Sequence, residues 1–283
     1  MHKFWKYQGL GNDFIIMEGN QKDLPTLTGQ AGLSFIQNAC DRHFGIGADG
    51  LILAKCADIK ADVRMQIFNS DGTEAEMCGN GIRCLIRYLL DSQQITKDQQ
   101  LTIQTLAGLI KAVVGHDNQI TVDMGRPIFE PANIPTLLSA GKHGVAEGVV
   151  NLGGENINIW AAGMGNPHMV VYVSDLSKVP LESWGNILEN NANFPAHTNV
   201  HFVKIISRTL LEILVWERGS GATLACGTGA CASMVVTHSL GLCDNNVEVL
   251  LPGGILKINW DTKQSNVNMT GPAEKVFSGF LDT

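Results

Sequence analysis

The sequence EMCGNGIR, from Glu76 to Arg83, is nearly repeated as LACGTGA, from Leu224 to Ala230. Each copy places a cysteine directly before a Gly-x-Gly step that opens an apolar run with the pattern of a helix. At a helix N-terminus, unpaired N–H groups and the helix dipole favour a thiolate over a thiol. The same N–H groups bind carboxylates. The two stretches therefore predict two reactive thiols, Cys78 and Cys226, each beside an anion site.

The segments around the two motifs recur in the same order in both halves of the chain. GNDF at 11–14 is echoed by GNPH at 165–168. Asn69 and Glu217 have the same separation as Cys78 and Cys226 (217 − 69 = 148 and 226 − 78 = 148). Later segments keep the offset to within a few residues, which is what a duplicated domain leaves. The chain is therefore predicted to contain two similar domains.

The helices after the two cysteines differ in pattern. Apolar residues at 82, 85, 86, 89 and 90 predict an amphipathic helix from Gly81, with Arg83 and Arg87 on its polar side. Residues 227–238 are apolar nearly all round, which predicts a helix buried on every side.

Two other segments have a residue pattern that predicts their structure. Thr28–His43 has helical spacing, and its last three residues, Asp-Arg-His, are interpreted as a capping and salt-bridge segment. Ile128–Glu155, rich in Pro, Gly and Ala, is predicted to be a linker.

Composition excludes several classes of protein. The chain has 283 residues, of which 45% are hydrophobic and 17% charged, as expected for a globular chain with room for two domains. A net charge of −7 argues against nucleic-acid and anionic-membrane partners. The chain has no apolar run of about 18 residues and no N-terminal signal pattern. Seven cysteines without framework spacing predict free thiols in a reducing cytoplasm.

Two possible cofactor sites are not supported by their sequence context. Gly45-x-Gly47-x-x-Gly50 matches the dinucleotide fingerprint in letters, but a helix precedes it and a strand follows, the reverse of the required order. A zinc site is not favoured because the chain has no C-x-x-C and no Cys/His cluster at ligand spacing. The prediction is an enzyme with no metal and no cofactor, acting on a small molecule. The remaining cysteines are interpreted as small buried apolar residues.

Five blocks, GLGNDF, DRHFGIGADG, FNSDGTEAEMCGNGIRC, GNPH and ERGSGATLACGTGACA, occur in order and together resemble the diaminopimelate epimerase family from residue 9 to about 272. The resemblance implies an α+β fold of two pseudo-symmetric duplicated domains, 1–127 and 128–271. Each would be a mixed, barrel-like sheet rolled around a central helix, with the active site in the cleft between them. The tail 272–283 would return to the first domain, and the protein would be a homodimer.

The same resemblance implies an activity: cofactor-independent epimerisation of LL-diaminopimelate to meso-diaminopimelate, in lysine and cell-wall precursor biosynthesis. Cys78 and Cys226 would act as base and acid on opposite faces of the α-carbon. His168 and Glu217 would support the reaction by holding the α-ammonium group or orienting a thiol. Arg218 is the natural partner of the distal carboxylate. The implied substrate-binding residues are Asn12, Asn69, Gly79, Asn80, Asn166, Asn199, Glu217, Arg218, Gly227 and Thr228.

The resemblance has two departures. Gly50 stands where many members carry Gln, so a side-chain contact to substrate is missing or replaced, and Ala222 stands where many carry Glu.

Three alternative functions stay open. The first is a racemase for proline or histidine. Asn80 disfavours proline as the substrate, since proline racemases carry His at that position. A disulfide redox switch does not need two Gly-x-Gly helix starts, and a non-catalytic amino-acid-binding protein does not need both cysteines.

Overall fold

The computed structural model describes residues 1–21, 24, 27, 29–261 and 265–282. The chain forms two compact units, Met1–Asp123 with Thr270–Thr283, and Met124–Met269. The helices are α1 (Gly29–Cys40), α2 (Gly79–Asp91), α3 (Leu181–Glu189) and α4 (Gly227–Ser239), with 3-10 turns at Pro131–Asn133 and Leu176–Lys178. The strands are β1 (His2–Gly9), β2 (Asn12–Glu18), β3 (Gly50–Lys55), β4 (Val63–Asn69), β5 (Glu74–Ala75), β6 (Gln100–Thr105), β7 (Gly108–Val114), β8 (Ile120–Asp123), β9 (Ser139–Ala140), β10 (Ala146–Leu152), β11 (Glu155–Gly163), β12 (Pro167–Tyr172), β13 (Asn199–Ser207), β14 (Leu210–Glu217), β15 (Gly221–Ala222), β16 (Asn246–Leu251), β17 (Gly254–Asn259), β18 (Asn268–Gly271) and β19 (Glu274–Leu281).

The two units repeat one strand order. In the first unit, β1–β2 is antiparallel, β2–β3 parallel, β3–β4 antiparallel, β4–β6 parallel and β6–β7 antiparallel. In the second, β11–β12, β12–β13, β13–β14, β14–β16 and β16–β17 follow the same sequence of directions. Each parallel pair needs a long crossover, and a helix lies in every one of these four crossovers. The predicted duplication and mixed sheets are confirmed.

A central helix organises each sheet. Helix α2 contacts β1, β2, β3, β4, β8 and β19, and α4 contacts strands β11 to β14, β16 and β17. Both helices have 13 residues, and they begin 148 positions apart (227 − 79 = 148). Ten of the 13 residues of α4 are buried, which confirms the prediction of a helix enclosed on every side. No helix within the described ranges is long and apolar enough to cross a membrane.

Helix α2 differs from its prediction at Arg83. The amphipathic pattern assigns Arg83 to the polar side, but its side chain is completely buried. Its Nε donates to the carbonyl oxygen of Pro272 at 3.1 Å, because the C-terminal segment covers this face of the helix. Arg87 does face outward and pairs with Asp91 at 2.9 Å. A local pattern cannot report a strand supplied from almost 190 residues away.

The predicted helix Thr28–His43 ends early. Thr28 lies outside the described residues, and α1 stops at Cys40. The Asp41 carboxylate accepts hydrogen bonds from the backbone N–H of His43 and of Phe44, both at 2.7 Å, which replace helical bonds by a turn. Arg42 pairs with two aspartates. The interpretation of Asp-Arg-His as a capping and salt-bridge segment is confirmed.

The prediction of a linker at Ile128–Glu155 is wrong. Strand β10 pairs along its whole length with β11, and Ile134 and Leu138 lie in the core of the second unit with residues of β10. The alternation of buried and exposed residues in β10 is that of a strand, but glycine and proline around it concealed the pattern.

The C-terminal strand belongs to the first unit. Strand β19 pairs antiparallel with β1, from His2 opposite Leu281 to Gln8 opposite Glu274. Strand β1 therefore lies between the next strand of the chain and the last one.

Candidate active site

Each of the two cysteines is the N-cap of its central helix. Cys78 has φ −143° and ψ 117°, and its Sγ accepts a hydrogen bond from the N–H of Gly81 at 3.4 Å. Cys226 has φ −124° and ψ 108°, and its Sγ accepts from Gly229 at 3.4 Å. Both residues therefore take the extended conformation and side-chain role of a capping serine. The sulfur of each lies at the positive end of a helix dipole.

Packing explains the second glycine of each motif. A Cβ atom on Gly81 would lie 2.9 Å from Cδ1 of Ile67, and one on Gly229 would lie 2.1 Å from Cε1 of His201. Glycine lets the first turn of each helix approach the surrounding strands closely. The Gly-x-Gly step is thus required by the fold as well as by an anion site.

In the first unit, the Cys78 sulfur lies beside Asn12. The turn before Asn12 has positive φ at Leu10 (59°) and Gly11 (84°). Oδ1 of Asn12 accepts from Nδ2 of Asn80 at 3.0 Å and from the thiol of Cys78 at 3.9 Å. Nδ2 of Asn12 donates to the Asp49 carboxylate at 2.9 Å. A carboxylate only accepts, so this contact fixes which end of the Asn12 carboxamide faces the sulfur.

Asp49 belongs to an ionic cluster behind Asn12. Arg42 bonds both Asp49 (2.7 Å) and Asp13 (2.8 Å), and Lys6 lies 2.8 Å from Asp13. Burial raises the pKa of Asp13, but hydrogen bonds and charge from Arg42 and Lys6 outweigh it and lower the pKa to about 2. Arg42 therefore holds the Asp49 carboxylate in place beside Asn12. Sequence reasoning missed Asp49, although it lies within the rejected glycine fingerprint, directly before Gly50.

Two other positions of this unit were expected to matter. Asn69 is exposed, and its Nδ2 donates to Oγ1 of Thr73 at 3.0 Å rather than to Asn12, Asn80 or Cys78. At Gly50, a Cβ atom would lie 2.4 Å from the carbonyl oxygen of Phe68. The backbone of this chain leaves no room for a side chain at Gly50.

In the second unit, the Cys226 thiol is buried. Its pKa is raised well above the ordinary value, first by burial and then by the charge of Glu217, while Thr228 and the Gly229 N–H lower it. Oγ1 of Thr228 lies 3.5 Å from the sulfur. The prediction that the helix start favours a thiolate is wrong for Cys226, because burial and Glu217 outweigh the hydrogen bond from the helix-start N–H of Gly229. Glu217 is itself held by Thr223, whose hydroxyl donates to it at 2.6 Å.

Arg218 and Asn199 form a second group. The backbone N–H of Arg218 donates to Oδ1 of Asn199 at 3.0 Å, and Nδ2 of Asn199 donates to the carbonyl of Pro167 at 2.9 Å. Asn199 thus clamps the end of β14 to the start of β12. The guanidinium of Arg218 donates one bond, to the carbonyl of Ala196 at 3.1 Å. Both the arginine and the strand end are therefore fixed next to Glu217.

Asn166 is held by a histidine pair. It follows Gly165, whose φ is 88°. Nε2 of His168 lies 2.7 Å from Oδ1 of Asn166, and Nδ1 of His168 lies 2.8 Å from Nε2 of His201. Both rings are completely buried. Sequence reasoning missed His201, although it lies two residues after Asn199 in β13 and therefore on the same face of that strand.

The structure thus groups Cys78, Gly79, Asn80 and Asn12 in one unit, and Cys226, Gly227, Thr228 and Glu217 in the other. No group of three His, Cys, Asp or Glu residues that could hold a metal occurs in the described part of the chain.

Comparison with known proteins gives the family. The family model described as diaminopimelate epimerase matches residues 4–130 and 160–276. A diaminopimelate epimerase of Prochlorococcus marinus (strain MIT 9313) is 54% identical over 281 residues, covering 99% of this chain and 93% of the relative. One from Carboxydothermus hydrogenoformans is 47% identical over 277 residues, covering 98% of each chain.

Solved structures agree on the fold. A hydroxyproline epimerase from Agrobacterium vitis superposes with a TM-score of 0.71 at 17% identity, covering 98% of this chain and 91% of that one. A phenazine biosynthesis protein from Bacillus anthracis gives a TM-score of 0.68 at 15% identity and covers 98% of each chain. At these identities the likeness is one of fold. The family model and the close relatives, each spanning nearly the whole chain, show that this protein belongs to the diaminopimelate epimerase family.

Proposed function

We propose that this protein converts LL-diaminopimelate to meso-diaminopimelate without a cofactor, with Cys78 and Cys226 as the acid–base pair. The observation that carries the proposal is the equivalence of the two cysteines: each sulfur caps the central helix of one of two duplicated units. Epimerisation needs a proton removed from one face of a carbon and returned to the other. Two equivalent sulfurs on duplicated units are suited to that task.

In the proposed reaction, one cysteine as thiolate takes the α-proton, and the other as thiol delivers its proton to the opposite face. The C–H electron pair stays on the α-carbon between the two steps, and backbone N–H groups at the helix starts stabilise the carboxylate that shares this charge. After turnover, the protonation states of the two sulfurs are exchanged. The enzyme is then ready for the opposite isomer.

The proposal includes a resting state in which Cys226 is a thiol. Burial and the charge of Glu217 raise its pKa. The Asn12 oxygen is likewise placed as an acceptor for the Cys78 thiol. The positive α-ammonium of the substrate would then supply the charge that favours one thiolate, since a nearby opposite charge lowers a thiol pKa. Ionisation would thus follow substrate binding.

Selectivity is proposed to depend on the distal end of diaminopimelate. Arg218 has a guanidinium suited to a carboxylate, and it is fixed beside Glu217 by Asn199. Asn69, Asn166 and the helix-start residues complete the proposed substrate-binding set.

The direct test is incubation of LL-diaminopimelate with the purified protein in deuterated water. Meso product carrying deuterium at one α-carbon is the expected result, with dialysis against a chelator leaving the rate unchanged. Proline and histidine, assayed in parallel, test the alternative racemases. Turnover of either in place of diaminopimelate, or a requirement for an added cofactor, would contradict the proposal.

We also propose that the protein is a cytoplasmic homodimer whose product serves lysine and cell-wall precursor synthesis. The family membership supports this. Light scattering on the purified protein tests the dimer, and complementation of a diaminopimelate-requiring strain tests the product's use.

A further inference from the structure

A buried line of side chains connects the first turn of α4 with Asn166. His201 lies directly against this turn, since a Cβ atom on Gly229 would lie 2.8 Å from Nδ1 of its ring. Nε2 of His201 contacts Nδ1 of His168, and Nε2 of His168 contacts Oδ1 of Asn166. Cys226, whose sulfur accepts a hydrogen bond from the Gly229 N–H, is the N-cap of the same turn. The line therefore starts beside one reactive thiol and ends at a proposed substrate-binding amide.

The position of His201 decides which of its nitrogens carries the proton. Within the described part of the chain, Nδ1 of His201 has no hydrogen-bond partner, and it is buried. An orphaned buried N–H is rarer than an unfilled lone pair, whereas Nε2 has His168 as a partner. Nδ1 of His201 is therefore unprotonated, and the proton of the neutral ring is on Nε2.

That proton fixes the rest of the line. His201 donates through Nε2 to Nδ1 of His168, which must then be an acceptor. The proton of the neutral His168 is consequently on Nε2, where it donates to Oδ1 of Asn166. The Nδ2 group of Asn166 is left as the end of the carboxamide available to a ligand.

Burial keeps both rings in the neutral form that this arrangement needs. It lowers the pKa of His201 to about 3, and it lowers the pKa of His168 well below the usual value, with charge repulsion from His201 and Arg218 adding to the effect. Neither ring gains a second proton at neutral pH.

We infer that His201 is a positioning residue, which acts through His168 to hold Asn166 with its NH₂ group as the donor to a substrate carboxylate. The inference rests on the proposed function only for the identity of that carboxylate. The direction of the hydrogen bonds follows from the two rings and the asparagine.

The first test is independent of catalysis. In full-length protein labelled with ¹⁵N-histidine, two-bond ¹H–¹⁵N spectra distinguish the two neutral tautomers of each ring. Protons on Nε2 of both His168 and His201, between pH 6 and 8, are the expected result. A proton on Nδ1 of either ring would overturn the inference, whatever the enzyme's substrate proves to be.

The second test compares two variants of His201. His201→Gln keeps an N–H₂ donor near the position of Nε2, whereas His201→Met keeps similar volume and has no donor. His201→Met should raise KM for diaminopimelate about tenfold to a hundredfold, the range for a lost hydrogen bond to a charged group, with a smaller change in kcat. His201→Gln should restore most of the loss.

Phe202→Leu, which alters the neighbouring core position without touching the line, is the matched control for packing. It should lower the melting temperature without raising KM. Equal KM changes in His201→Gln and His201→Met, or an unchanged KM in folded His201→Met, would contradict the positioning role. If circular dichroism shows His201→Met unfolded, the tautomers of the wild type decide the question.

Discussion

Asn12 and Asn166 follow equivalent glycines, Gly11 and Gly165, with φ values of 84° and 88°, but their carboxamides are held from opposite ends. Asp49 holds Asn12 by its Nδ2, and His168 holds Asn166 by its Oδ1. The Asn12 oxygen is thus turned to the Asn80 amide and the Cys78 thiol, whereas the Asn166 oxygen is turned to a histidine ring. The duplicated halves have diverged in the group that holds each carboxamide.

The orientation of the Asn12 carboxamide can be tested by exchanging the amide and the carboxylate between positions 12 and 49. Asn12→Asp places two carboxylates at hydrogen-bond distance, which costs roughly 1 to 4 kcal/mol, and should strongly lower kcat/KM. Asn12→Asp combined with Asp49→Asn restores a donor–acceptor pair and should recover most of the activity. Asp49→Asn alone is the control and should have a small effect. A double variant as inactive as Asn12→Asp would contradict the assigned orientation.

Cys78→Ser and Cys226→Ser should each abolish epimerisation and leave the fold intact. A serine hydroxyl is a much weaker acid than a thiol, whose pKa is about 8.5, but it can still cap a helix. Steady-state epimerisation and thermal melting are the measurements, with Cys243→Ser as a control at a buried cysteine outside the site. Normal turnover in either variant, with a matched melting temperature, would exclude the two-thiol mechanism.

Arg218 is exposed in the structure, and its ion pair with the distal carboxylate would be desolvated only by bound substrate. With the pair desolvated in that way, Arg218→Ala should raise KM for diaminopimelate steeply, at a cost of roughly 2 to 5 kcal/mol. Arg218→Lys should rescue only part of this, since an ammonium cannot bond a carboxylate in the same two-pronged geometry. Arg208→Ala is the matched control: it removes an exposed ion pair with Asp244 in the same unit. An unchanged KM in Arg218→Ala would remove Arg218 from the substrate site.

Glu217→Gln should lower the pKa of Cys226, because the charge of Glu217 is one of the causes that raise it. The thiolate fraction at pH 8 then increases, and alkylation by iodoacetamide should become faster at Cys226. Quantitative peptide mapping over pH 7–9 measures this, with Cys56 as internal reference. The interpretation of Cys56 as a buried residue is wrong, because its side chain is exposed, whereas Cys40, Cys84, Cys231 and Cys243 are buried. The same alkylation profile for Cys226 in the wild type and in Glu217→Gln would show that burial alone sets the pKa of this thiol.

The stability of the protein should fall in acid through Asp13. Its folded pKa, about 2, lies below the ordinary 3.8, so its contribution is complete above about pH 4 and is lost as the pH falls through 2. With solvent screening at this partly open cluster, the contribution is about 1 to 2 kcal/mol. Urea unfolding at pH 7, 4 and 3 should show a larger loss of unfolding free energy in the wild type and in Asp244→Asn than in Asp13→Asn, which keeps the acid sensitivity of the other aspartates with lowered pKa values, Asp41, Asp71 and Asp175.

Much of the architecture is predictable from the sequence because the duplication repeats its signals. The two cysteine motifs, their constant separation and the all-round apolar pattern of 227–238 give the central helices and the two units. The predictions that fail concern residues whose contacts are made by parts of the chain far away in the sequence. Arg83 has the spacing of a surface residue, but Pro272 and the C-terminal strand cover it.

The site is predictable to a smaller extent. The motifs identify the cysteines and the residues at both helix starts, because a capping sulfur needs local sequence only. Asp49 and His201 could not be found in this way, since their roles depend on contacts between strands that are separated in the chain. The protonation preference at Cys226 was wrong for a similar reason: desolvation comes from the enclosing sheet, which no local motif reports.

Strand β19 beside β1 has a consequence for how the protein is made. The ribosome releases most of the first unit's residues early, but strand β1 lacks its partner β19, and Arg83 lacks the Pro272 carbonyl, until residues 272–281 have been synthesised. The second unit is continuous in the chain and can close before that. The unit that is translated first is therefore completed after the second one, and a nascent chain stalled before residue 272 carries one complete unit and one open unit.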